Sequence, residues 1–247
     1  MIVRTSKVWK TFGRFDAVRD LSLSVLEGAT FALVGANGAG KTTTIKLLMN
    51  IVRPTRGVLE VMGVDSRTLS TRELARIGYV SENQDIPGRM SVQTYIGYLR
   101  PFYPSWDRRL EAELLAHLRL PLERKIKDLS HGMRLKLALA CALPFRPKLL
   151  VLDEPLSGLD PLVRDEFMNG LPHREGETTV LISSHELADI EAYTTLIAFL
   201  DAGRVLFPEA MDELKARLLK VRVTFNRLVQ LPPQLTPEWM ESLGKPT

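Results

Sequence analysis

Eight consecutive residues carry the clearest chemistry in the chain: Gly35–Ala36–Asn37–Gly38–Ala39–Gly40–Lys41–Thr42, which fits G-x-x-x-x-G-K-[ST]. Glycines let successive backbone N–H groups turn inward and form a nest for phosphate oxygens. An apolar run precedes the pattern and a helical spacing follows it, so the nest falls at a helix start, whose dipole adds positive potential. In that setting Lys41 reaches the β- and γ-phosphates of a nucleotide, Thr42 is a magnesium ligand and Thr43 contacts the α-phosphate. The plainer alternative is a glycine-rich turn with an incidental lysine. The strand before it and the helix after it argue against that.

A second set lies further on. Leu149–Leu150–Val151–Leu152–Asp153–Glu154 is an apolar run ending in two acids. Parallel strands present their C-terminal ends to the ligand crevice, where a phosphate loop also opens. Asp153 there can hold magnesium, usually through water, and Glu154 can accept a proton from an attacking water. His185 follows the apolar run TTVLISS and is expected to open a helix. Taken singly, three residues have ordinary roles: His185 as a first-turn residue, Asp160–Pro161 as an N-cap with proline at N1, and Ser130 as the N-cap of MRLKLALACAL. Their order along the chain is what gives them weight.

The elements that must position these residues are legible as alternation. Residues 2–8, 17–25, 30–34 and 57–62 read as strands, and 43–50 as a helix. From about 91 to 143 the pattern turns helical, broken at Pro101, Pro104 and Pro121. After that come a strand at 149–153, a helix at 162–171, a strand at 179–183, a helix at 187–193 and a strand at 196–201. Such alternation marks a parallel sheet covered by helices. One more strand is expected at 221–225, before a proline-rich end of unknown role.

Composition sets the outer limits. Hydrophobic residues make up 45% and charged residues 25% of 247, the balance of a globular protein large enough to need no disulfide or metal staple. The single cysteine, Cys141, sits in an apolar helical run and reads as a core thiol in a reducing compartment. MIVRTSKVWK has no signal-peptide core and no window reaches a membrane span, so the expectation is a soluble chain whose membrane role needs a partner. A net charge of +4 fits a phosphate ligand or an anionic surface and by itself indicates neither nucleic acid nor lipid.

Together these residues resemble the ATP-binding subunits of ABC transporters, over nearly the whole chain. The resemblance makes Ser157–Gly158–Leu159–Asp160 the D-loop, His185 the switch histidine that contacts the γ-phosphate, and Leu129–Ser130–His131–Gly132–Met133 the counterpart of the LSGGQ signature. In the family that signature closes over the γ-phosphate from the opposite monomer, which implies two chains sandwiching two ATPs head to tail. Phe12 is assigned to stacking on adenine, with Trp9 and Phe15 nearby. Two departures stand out. His131 and Met133 replace the usual Gly and Gln, and Glu82 stands where the family has its Q-loop glutamine, with Gln84 as substitute if the register slips. Glu82, the degenerate signature and the stretch Phe102–Tyr103–Pro104–Ser105–Trp106–Asp107 are similar to bacterial ABC-2-type exporters of the antibiotic and multidrug group.

The implied architecture is α/β. A P-loop core with a parallel sheet occupies 1–220, with an antiparallel β portion near the N-terminus and an inserted helical subdomain over about 83–145; 221–247 is a C-terminal extension. The implied activity is hydrolysis of ATP with Mg2+, with Glu154 and His185 catalytic and Thr42, Asp153 and Glu82 at the metal. The implied partners are a second copy or a similar ATPase subunit and a separate permease, at the cytoplasmic face of the cell membrane. A soluble ABC ATPase acting on nucleic acid or ribosomes is the other reading. It fits less well, because there is no room for a long coiled coil between Glu82 and Ser130 and only one phosphate loop is present. A regulatory binder without hydrolysis is disfavoured by the presence of both Asp153 and Glu154.

Overall fold

The computed structural model describes residues 1–171 and 178–217. The first half runs β1 (Val3–Phe12), β2 (Phe15–Leu21), β3 (Ser24–Val25), β4 (Thr30–Val34), α1 (Lys41–Leu48), β5 (Arg56–Val61), β6 (Val64–Asp65), α2 (Thr71–Leu74) and β7 (Ile77–Ser81). Three helices follow, α3 (Val92–Leu99), α4 (Arg108–His117) and α5 (His131–Ala142). The chain then returns to alternation with β8 (Leu149–Asp153), α6 (Pro161–Asn169), β9 (Thr179–Ser184), β10 (Leu196–Asp201), β11 (Arg204–Ala210) and α7 (Met211–Arg217).

Two sheets result. One is antiparallel, in the order β2-β1-β5-β6 with β3 also on β1. The other has the order β11-β10-β4-β9-β8-β7, in which every pair is parallel except β10 with β11. Residues on one strand alternate between two cores. Phe31 and Leu33 of β4 pack with α1 and the antiparallel sheet, whereas Ala32 and Val34 pack with α5 and α6. Because both faces are covered, β8 and β9 are buried along their whole length, and their stretches 149–152 and 180–182 read as unbroken apolar runs. The helix α1 lies between the two sheets, so its N-terminus is held from both sides.

The helices α3, α4 and α5 start at side-chain caps: Ser91, Asp107 and Ser130 each accept from a first-turn N–H. A buried charge fastens the turn between the first two. The carboxylate of Glu111 accepts from Arg100 Nε at 2.8 Å and from Trp106 Nε1 at 2.6 Å. Burial pushes the Glu111 carboxyl up, but the bonds from Arg100 and Trp106 outweigh burial and hold its pKa below the ordinary 4.5. A depressed acid stabilises the fold above its unfolded pKa, and that contribution disappears as pH falls through the folded one. Glu111→Gln should therefore lower stability at pH 7 by about 1–3 kcal/mol. The gap to wild type in thermal unfolding should close as the pH falls below 4.5; a gap that is constant with pH would show that charge has no part in it.

Several sequence expectations change. The strand expected at 17–25 is two strands, since Asp20 takes φ 51° and Leu23 N–H turns to Thr5 Oγ1. The helix expected at 187–193 is only a 3-10 turn, Leu187–Asp189, so His185 does not open an α-helix. Past that turn the chain has to deliver Leu196 to β10, and Thr195 N–H already donates to Thr30 O. The edge strand β11 has no counterpart in the sequence reading. The strand expected at 221–225 lies outside the described residues, as does the extension at 221–247.

Candidate active site

Strand register brings the chemistry into one row. Ser81 of β7 pairs with Asp153 of β8, Asp153 with Ser183 of β9, and Ser183 with Leu33 of β4. Two residues beyond Leu33 the loop begins, with Gly35 N–H donating to Ser184 O at 3.2 Å. At Gly35 a Cβ would collide with the Leu200 carbonyl of β10, and at Gly40, where φ is 103°, with the Ala17 carbonyl of β2. Both glycines are there because backbone passes against backbone. Gly40 also caps α1 with no side chain, and the first turn contains no acid, so its N–H groups are left for an anion. The β1–β2 hairpin is pinned beside this loop, since Arg19 N–H donates to Gly203 O and Gly203 N–H to Ala39 O.

Lys41 is 4% exposed and folded into its own loop. Its Nζ lies 2.5 Å from Gly35 O, 3.0 Å from Ala36 O and 3.0 Å from Glu154 Oε1. Glu154 takes φ 51°, an uncommon value for a side chain with Cβ and worth about 1–3 kcal/mol of strain. That turn directs the carboxylate off the strand, with Oε1 toward Lys41 and Oε2 2.8 Å from His185 Nδ1. Next to it Asp153 is buried, and its Oδ1 accepts from Thr42 Oγ1 at 3.1 Å and from Ser183 Oγ at 2.8 Å. Burial pushes the Asp153 carboxyl up, with the Glu154 charge adding to it, although the Ser183 and Thr42 hydrogen bonds pull the other way. A buried carboxylate in that condition is suited to a cation.

The oxygens present fit magnesium. Thr42 and Asp153 are hard donors side by side, and the buried Gln84 Oε1 has no hydrogen-bond partner. Among the described residues no group of three or more His, Cys, Asp and Glu side chains forms a metal cage. Magnesium needs none, because it is commonly held by one or two protein oxygens together with substrate phosphates. Glu82 is the first residue past β7 and is half-buried, with its N–H on Asp153 O at 3.1 Å.

The remaining candidates lie elsewhere. Ser130 caps α5 through Met133 N–H, Asp160 caps α6 through Val163 N–H, and both are exposed. No hydrogen bond or ion pair among the described residues joins either to Lys41, Thr42, Asp153 or Glu154. His131 is exposed and Met133 half-buried. Gly132 is used for packing: a Cβ there would come within 2.8 Å of Val163 Cγ1, so α5 and α6 meet closely at this point. Of the aromatics, Trp9 is covered by Arg56 at 4.0 Å, whereas Phe12 and Phe15 stand 47% and 61% exposed at the hairpin tip. Lys10 Nζ sits 4.7 Å from the Phe12 ring centroid.

Ser183 escaped the sequence reading. Its Oγ donates to Asp153 and accepts from Glu154 N–H at 3.0 Å, so one hydroxyl fixes both acids. The available signal was a hydroxyl pair ending a buried strand, since buried polar groups have partners.

The ABC transporter family model matches residues 18–157. The ABC transporter ATP-binding protein YtrB of Bacillus subtilis is 30% identical over 218 residues, spanning 87% of this chain and 74% of that protein. The bacitracin transport ATP-binding protein BcrA of Bacillus licheniformis is 32% identical over 221 residues, 87% of this chain and 72% of that one. A solved structure of an ATP-binding subunit of an ABC transporter superposes with a TM-score of 0.79 at 25% identity, over 88% of this chain and 93% of that one.

Proposed function

The chain belongs to the ABC transporter family as an ATP-hydrolysing subunit, and from that premise we propose that two copies close over ATP to drive export through a separate permease. The observation that carries the reading is the linked set Lys41–Glu154–His185 and Thr42–Asp153–Ser183 at the mouth of the phosphate loop.

The loop from Gly35 to Thr43 receives the phosphates of ATP on the N–H groups that it does not already commit, as Gly35 does to Ser184 O and Ala39 to Ala36 O, and Phe12 offers a ring face for the adenine. Lys41 then exchanges two loop carbonyls and Glu154 for phosphate oxygens, which releases Glu154 Oε1. His185 keeps hold of Oε2 and so orients the carboxylate, which takes the proton of the attacking water. Thr42 and Asp153, with Glu82 beside them, would hold magnesium, which when bound neutralises phosphate charge. Because Ser130 and Asp160 are exposed and unconnected to this set, they are free to serve the site of a second copy. His131 and Met133 flank that hydroxyl in place of the family's Gly and Gln.

No helix among the described residues is long and apolar enough to cross a membrane; the likeness to the ABC transporter ATP-binding protein YtrB supports a cytoplasmic subunit held at the membrane by its permease. The likeness to the bacitracin transport protein BcrA supports export of antibiotic-like compounds. The test is purification of the tagged chain from solubilised membranes of its own host. An integral membrane protein should co-purify, and ATP turnover per chain should rise cooperatively with ATP. A chain that stays monomeric at saturating ATP and brings no membrane protein with it would refute the reading.

A further inference from the structure

One guanidinium joins two loops on which the proposed hydrolysis depends. Arg164 lies on α6, one turn past Asp160. Its Nε donates to Leu159 O at 3.0 Å, in the segment leading into Asp160. Its Nη1 pairs with Asp189 Oδ1, in the 3-10 turn that follows His185. Asp189 is 10% exposed and Arg164 29%, so the pair is largely shielded from solvent. The stretch between His185 and Asp189 is tightly tied. Ser184 Oγ accepts from Glu186 N–H and donates to Glu186 O, and Ile190 N–H closes on Leu187 O. Asp189 and His185 therefore belong to one short, internally bonded piece of backbone. On the other side, Leu159 is buried and is wedged close to Gly132.

We propose that Arg164 is a positioning residue for hydrolysis, coupling the Leu159–Asp160 segment to His185 and, through His185, to the Glu154 carboxylate. The inference rests on the reading of His185 and Glu154 given above. A displacement of the exposed Asp160 segment by a second copy is passed to Asp189 through the guanidinium, and the histidine moves with the turn. Arginine is required because the two acceptors are reached from different nitrogens of one planar fork. A lysine has a single ammonium and can serve one of them at a time.

The test is a double-mutant cycle in the full chain, using Arg164→Gln, His185→Ala and the two combined, with turnover and nucleotide affinity measured for each. Arg164→Gln should lower turnover about 10-fold and leave ATP affinity within about twofold, because the phosphate loop is untouched. Asp189→Ala, which removes the acceptor of the Arg164 guanidinium, should give the same loss, and Arg164→Lys should recover only part of it. In the His185→Ala background the Arg164→Gln change should add nothing. Wild-type turnover in Arg164→Gln would overturn the proposal. So would a loss that multiplies with that of His185→Ala, since the arginine would then act independently of the histidine. Wild-type turnover in His185→Ala alone would instead bring down the catalytic reading of the histidine, and the coupling with it.

Discussion

Replacing Glu154 by Gln lowers ATP turnover by a factor on the order of 10² or more while ATP remains bound. The amide has the shape of the carboxylate and can still bond His185 Nδ1, and the backbone turn at φ 51° still rests on the Ser183 hydroxyl. What it cannot do is accept a proton from water. Affinity for ATP should rise rather than fall. In the nucleotide-free chain Glu154 competes with phosphate for the Lys41 ammonium, 3.0 Å away, and its negative charge faces the place where the γ-phosphate lies. Removing that charge ends both effects. With ATP bound and not consumed, the variant should elute from size-exclusion chromatography at twice the mass of the chain, and with ADP at the monomer mass. Turnover at the wild-type rate would sink the assignment of Glu154 as the base.

The parts of the site legible in the sequence are those dictated by local chemistry. Residues 30–34, 149–153 and 196–201 are strands in the structure with the bounds the sequence suggests, because strands buried on both faces must be continuously apolar. Gly35 and Gly40 announce the phosphate loop, although the structure adds that their missing side chains admit the carbonyls of Leu200 and Ala17 from elements distant in sequence. What stayed hidden depends on tertiary contacts. The segment after His185 has helical composition, yet Asp189 is held by Arg164 from α6, and the chain leaves after one turn for β10. Edge strand β11 contains Pro208, which an edge tolerates and a central strand would not, so its pattern looks like a loop. Ser183 is one of the hydroxyl pair that ends an apolar run, and only the register of β8 against β9 reveals that it joins Asp153 to Glu154.

Lys41→Met should weaken ATP binding by about 10- to 100-fold, the range of a lost charge-assisted hydrogen bond of about 1.5–3 kcal/mol. Methionine keeps much of the apolar stem of a residue that is 4% exposed, so the loop has something to pack against. Two losses then act in the same direction. The phosphates have only the backbone nest for positive potential. In addition, Glu154 Oε1 is left beside the phosphate site with no cation to balance it, because the ammonium 3.0 Å away is gone. The second effect makes a specific demand on the double variant Lys41→Met/Glu154→Gln. If the orphaned carboxylate repels ATP, neutralising it should recover part of the affinity that the single change destroyed, and the two substitutions will be non-additive. Titration calorimetry with ATP on the four proteins measures the coupling directly. Wild-type affinity in Lys41→Met would show that Lys41 does not bind phosphate. Strict additivity would show that Glu154 and Lys41, though adjacent in the nucleotide-free chain, do not act on each other when ATP arrives.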